Sequence, residues 1–88
     1  MSLANNNSST GEISVRLYAT LAGFAGGKTG CFTVVVSASE TLIDVIQRLG
    51  IPTSEVSLAF VNGSMAPVLN MPIKFGDEIE LLGIVDGG

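Results

Sequence analysis

The tightest constraint on this chain is one short amphipathic helix, marked at both ends and flanked on both sides by strand-like segments. Leu42, Val45, Ile46 and Leu49 fall at i, i+3, i+4 and i+7, a single apolar stripe. Thr41 can accept from the third helical amide while Asp44 reaches back, a variant of the capping box. Gly50 suits the left-handed position after the last turn, Ile51 can cover that turn, and Pro52 cannot continue it. A helix this short does not hold in water by itself, so its stripe must pack on a sheet.

The flanking segments supply that sheet. Ile13-Ser14-Val15-Arg16-Leu17-Tyr18 alternates apolar and polar, which predicts a half-buried strand with Ile13, Val15 and Leu17 inward. Residues 20–30 carry Gly23, Gly26, Gly27 and Gly30 and read as a loose connection. Cys31 to Val36 is β-branched and aromatic, a second strand pairing back as an antiparallel hairpin. Ser57 to Val61 is a third strand, ended by the turn signal Asn62-Gly63. Met65 to Val68 can return briefly, with Pro67 marking an edge. Phe75 to Glu78 reads as a turn and Ile79 to Leu82 as the last strand. One helix can cover one face of one sheet, so the fold class is α+β, with the first and last strands adjacent and parallel. Residues 1–11 are predicted to be a disordered tail, 12–82 the folded domain, and 83–88 a flexible glycine-rich tail.

Composition then removes function classes. With 88 residues there is room for one core. Net charge is −4 with only four Lys and Arg, so nucleic acid is not an expected partner. There is no histidine and a single cysteine, which excludes a Ser-His-Asp or Cys-His centre and a zinc site from this chain alone. An intrachain disulfide is likewise impossible. No apolar run approaches the ~20 residues that span a bilayer, and the first residues lack a secretory pattern. The expectation is a cytoplasmic protein with no membrane partner and no metal, whose chemistry depends on other proteins.

Four segments carry a more specific resemblance: Val15-Arg16-Leu17-Tyr18-Ala19, Thr41-Leu42-Ile43-Asp44-Val45-Ile46, Phe60-Val61-Asn62-Gly63, and Phe75-Gly76-Asp77-Glu78-Ile79 leading to Gly87-Gly88. In this order and spacing they resemble the MoaD/ThiS sulfur carriers, ubiquitin-like β-grasp proteins. The opening strand, with its arginine and aromatic, is closer to MoaD. The resemblance implies a β-grasp fold, a mixed sheet of four to five strands packed on one helix. Family tails commonly carry Pro-Pro where this chain has Gly83-Ile84, so its tail is less stiff.

The resemblance also implies a chemistry. The carboxyl group of Gly88 would be adenylated with ATP by a partner similar to ubiquitin-activating enzymes, of MoeB or ThiF type. A persulfide donor would then convert it to a thiocarboxylate that gives up sulfur in cofactor biosynthesis. The closest reading is the small, non-catalytic subunit of a molybdopterin synthase, docked on a large catalytic subunit. Alternatives are a thiamine-type carrier, a ubiquitin-like modifier conjugated through Gly88, and a plain interaction module. No bound cofactor is implied. Gly87 and Gly88 lack a Cβ, so this backbone can enter a narrow channel.

Strand parity predicts the docking face. If Ile79 and Leu81 point inward, Glu78, Glu80 and Leu82 point outward. Leu82 with Phe60 and Phe75 could then form an apolar patch, with Phe60 alternatively a core residue. Ile84, Val85 and Asp86 would lie extended across the partner, the acidic groups meeting lysine or arginine. Other signals have plainer readings. Residues 22–29 mimic a phosphate loop, but a strand follows where a helix is required. Cys31 reads as an ordinary strand cysteine, Met65 and Met71 as gap-fillers, and Glu40 and Asp44 as helix-end charges.

Overall fold

The structure is a computed structural model that describes residues 10–26 and 30–84. Five strands form one mixed sheet: β1 (Thr10–Tyr18), β2 (Cys31–Ser37), β3 (Val56–Val61), β4 (Ser64–Met65) and β5 (Glu78–Gly83). Their spatial order is β2-β1-β5-β3-β4. One helix, α1 (Leu42–Arg48), covers the inner face. β1 pairs antiparallel with β2 and parallel with β5, and β5 pairs antiparallel with β3. This is the β-grasp arrangement, with the last strand at the centre.

The inward positions expected of β1 and β5 hold. Ile13, Val15, Leu17, Ile79 and Leu81 are all buried, and with Leu42, Val45 and Ile46 of α1 they form one core. Leu49 completes the stripe half-buried. The capping box is present: the Asp44 amide donates to Thr41 Oγ1 at 3.4 Å and the Thr41 amide donates to Asp44 Oδ2 at 2.9 Å. At the other end Gly50 has φ +81°. Its amide donates to Gln47 O at 3.0 Å, and that of Ile51 to Ile46 O at 3.2 Å. That pair is a Schellman motif, and Ile51 is buried over it.

Several features differ from the sequence expectation, among them β4, which is Ser64–Met65 and does not extend to Val68. β1 begins at Thr10, so Thr10 and Gly11 belong to the strand and not to the tail; residues 1–9 lie outside the described residues. β5 runs on to Gly83, one residue into the expected tail. The glycine-rich connection opens with a 3-10 turn, Ala19–Gly23, whose Leu21 is fully buried. Leu21 is thus a core residue in a segment whose glycines suggested only a loop.

The stretch between β4 and β5 has no periodic pattern, yet it is held. Among the first amides of α1, Leu42 donates to Met71 O at 2.9 Å and Ile43 to Leu69 O at 2.7 Å. These donors have no partner inside the helix, so a passing chain that offers carbonyls is drawn to them. Ile73 then enters the core.

Candidate functional site

β5 positions the candidate site because it carries the tail and lies between two neighbours. Parity puts Glu78, Glu80 and Leu82 on the outer face of the sheet, opposite α1, as expected. The registers show what stands beside each. Leu82 lies between Tyr18 of β1 and Leu58 of β3. Glu80 lies between Arg16 and Phe60, and Phe60 in turn faces Met65 of β4.

The outer face therefore has two rows. Tyr18-Leu82-Leu58 is the apolar row nearest the tail. Tyr18 and Leu58 are 38% and 40% exposed, and Leu82 is half-buried between them. Behind it runs Cys31-Arg16-Glu80-Phe60-Met65, polar at one end and apolar at the other. Tyr18 Oη donates to Glu80 Oε2 at 3.4 Å, linking the rows. Hydrogen bonding to the Tyr18 side chain, with smaller help from Cys31, holds the exposed Arg16 guanidinium above its usual pKa. Arg16 is thus a fixed positive charge on an otherwise acidic surface. Ser14, Arg16, Cys31, Glu78, Ile79 and Glu80 line a shallow hollow of about 180 Å³ here.

Ile84, the last described residue, is held at Glu55, the residue that precedes β3. The Ile84 amide donates to Glu55 O at 3.2 Å, and the Ile84 side chain is exposed. The tail thus leaves at the end of the sheet where the Tyr18-Leu82-Leu58 row lies. Val85, Asp86, Gly87 and Gly88 lie outside the described residues.

Leu82 and Phe60 share the outer face, as expected. Phe75 does not join them. A Cβ built on Gly11 would meet the Phe75 ring at 2.4 Å, and Gly11 has the inward parity of Ile13. Phe75 therefore lies over the inner-face end of β1, where it lines a hollow of about 220 Å³ with Ala38, Ile73 and Lys74. The turn at Gly76, with φ +87°, separates Phe75 from β5, so strand parity cannot be extended back to it. Met65 is a second correction: it is 60% exposed on the outer face and fills no gap, whereas Met71 packs against the core. Tyr18 and Leu58 were missed. Alternation in the first strand already placed Tyr18 outward, but Leu58 had no assigned face, and only the register reveals that the two flank Leu82.

Cys31 is a free, exposed thiol on the outer face. Among the described residues there is no metal-binding cluster, and no helix is long and apolar enough to cross a membrane.

Comparisons with known proteins agree on the fold. No curated protein matches the sequence. Among solved structures, SAMP1 from Haloferax volcanii superposes with a TM-score of 0.66 at 26% identity, covering 89% of this chain and 100% of that one. The small archaeal modifier protein 1 of Methanosarcina acetivorans gives 0.64 at 24%, covering 90% and 98%. A structure of the complex between subunits 1 and 2 of the molybdopterin-converting factor from Helicobacter pylori gives 0.50 at 24%, covering 88% and 99%. The sequence model of one family, Mut7-C ubiquitin, matches residues 10–84. That span takes in every strand described above, the helix, and the outer rows beside the tail, and the chain belongs to the Mut7-C ubiquitin family.

Proposed function

We propose that the chain is a sulfur carrier of MoaD type, acting through the carboxyl group of Gly88. The supporting observation is the position of β5. The central strand ends beside the Tyr18-Leu82-Leu58 row, so a partner that seats this row stands next to Ile84, where the last segment of the chain begins. A carboxylate is a poor electrophile. An activating enzyme joins it to the α-phosphate of ATP with loss of pyrophosphate. A persulfide then displaces AMP, and a thiol cleaves the acyl disulfide to leave the thiocarboxylate. Bases, metal and nucleotide belong to the partners, which fits a chain without histidine. The final acceptor on this reading is a pterin precursor held by a larger subunit.

A second reading has its own support. The likeness to a small archaeal modifier protein at 26% identity favours conjugation, with Gly88 joined to a lysine of another protein. Both readings share the adenylation step and diverge afterwards.

The test is the mass of Gly88-containing peptides from protein taken from its native cell without strong reductant or acid. The carrier reading expects sulfur in place of one terminal oxygen. Isopeptide links to lysine select the modifier. A carboxylate that stays free with activating enzyme and ATP present, or a peptide that continues past Gly88, sinks both.

A further inference from the structure

We propose that Arg16 is a specificity-determining residue for adenylation of Gly88: it selects an activating partner that carries a carboxylate beside the pocket taking the Tyr18-Leu82-Leu58 row. The inference rests on the adenylation step that both readings above share, and concerns which partner is admitted to it.

Arg16 stands apart in charge. Among the described residues, the outward positions of the sheet hold three acids, Glu12, Glu78 and Glu80, and one cation, Arg16. The one ion pair among the described residues is Glu40–Arg48, so no carboxylate there pairs with Arg16. Its ladder neighbour Glu80 is engaged elsewhere, accepting from the Tyr18 hydroxyl at 3.4 Å. Hydrogen bonding to Tyr18 also steadies the guanidinium, so the charge and the row are positioned together.

A partner that seats the row must also cover Arg16. Residues on one face of a strand follow each other at about 7 Å, and neighbouring strands lie about 4.8 Å apart. Arg16 precedes Tyr18 by two positions, and Tyr18 lies beside Leu82, so the backbones of Arg16 and Leu82 are about 8 Å apart. A standard interface takes about 800 Å² from each side, a disc about 16 Å in radius. Centred on Leu82, such an interface includes Arg16.

Covering a cation without a counter-ion forfeits its hydration. Two kinds of partner then fare differently. A partner matched only to the prevailing charge of this face is basic, and it meets Arg16 with like charge. A partner with a carboxylate at that point replaces the lost hydration with a charge-assisted hydrogen bond. Arg16 is thus a repulsive element that turns away a generally basic surface and admits one with the matching order of charges.

The test is steady-state adenylation of the full chain by the MoeB-type activating enzyme of its native cell, followed as exchange of pyrophosphate into ATP. Arg16 is exposed, so substitutions there do not disturb the core. Arg16→Gln is expected to raise KM about tenfold and Arg16→Glu about a hundredfold, with kcat unchanged in both. Added salt should lower KM for Arg16→Glu, because it screens the new repulsion. An Arg16→Glu chain whose KM is unchanged or lower overturns the proposal, since that is what a basic partner surface would give. Equal KM values for the two variants, or a loss confined to kcat, overturn it as well, because neither follows from charge. An unaltered chain that is not adenylated sinks the shared reading and this inference with it. A chain that is adenylated but indifferent to Arg16 overturns this inference alone.

Discussion

Asn62 and Asp77 are fifteen positions apart in sequence, and their side chains are joined by an Asn62 Nδ2 to Asp77 Oδ1 hydrogen bond of 2.9 Å. Asn62 Oδ1 also accepts from the Glu78 amide at 2.9 Å, and Asp77 Oδ2 accepts from Lys74 at 2.8 Å. One side chain therefore ties the β3–β4 turn to the start of β5. Asn62 has φ +53°, a left-handed value that asparagine tolerates and that the tight hairpin requires. Asn62→Ala should cost about 1–3 kcal/mol in urea unfolding, through lost bonds and backbone strain together. Asn62→Gly keeps the backbone and loses only the bonds, so its midpoint should fall between the two. Equal midpoints for Ala and Gly would show that backbone strain contributes nothing.

Leu82 is central to the row beside the tail, whereas Phe75 lies on the other face. Leu82→Asp should lower adenylation of Gly88 by a cognate activating enzyme about tenfold or more, the scale of a buried interface anchor. Phe75→Ala should leave it unchanged. Circular dichroism must show both variants folded. Comparable losses from the two would mean that the docking face is not the outer one.

The capping box makes one part of stability depend on acid. Bonds from the backbone and side chain of Thr41 hold the Asp44 carboxyl below its usual pKa. A carboxylate depressed in the folded state contributes stability above its unfolded pKa, about 3.9, and that contribution is lost as pH falls through the lower folded value. Thr41→Ala should cost about 1 kcal/mol at neutral pH through the lost cap. It should also flatten the decline of the unfolding midpoint below about pH 4. A parallel decline in both proteins would rule out the Thr41 hydroxyl as its source and leave the Thr41 amide, which still bonds Asp44 in Thr41→Ala.

Gly50 ends α1 with φ +81°, and a Cβ there would stand 3.4 Å from Phe24 O. Contact at that distance is tolerable, so the strain is conformational. Gly50→Ala should lower stability by about 1–2 kcal/mol, read from thermal or urea unfolding. Gly23→Ala serves as the control, since its Cβ would meet nothing and its φ is not left-handed. Matching effects at the two glycines would refute a backbone origin.

Local rules made much of this fold legible. Alternation in β1, the stripe and both caps of α1, and the Asn62-Gly63 turn each depend on residues close in sequence. The parallel pairing of the first and last strands also followed from the long crossover between them, whereas the place of β3 beside β5 did not. What stayed hidden depends on distant partners. Leu21 is buried by tertiary packing, in a segment whose glycines masked it. Residues 69–73 are held by amides of α1, which leaves no periodic mark. Leu82 is readable from parity, whereas Phe60 reads as either surface or core, and Tyr18 and Leu58 gain meaning only through the register. Phe75 was misplaced because a turn interrupts the strand before it.

The central position of β5 bears on how the domain responds to force. A pull on the tail acts along the axis of β5, parallel to the ladders with β1 and β3 on either side. Force along that axis loads the hydrogen bonds on both sides together in shear, where an edge strand would have one ladder to resist it. Load applied along β5 at Ile84 is therefore shared by both ladders and does not peel the strand away one bond at a time.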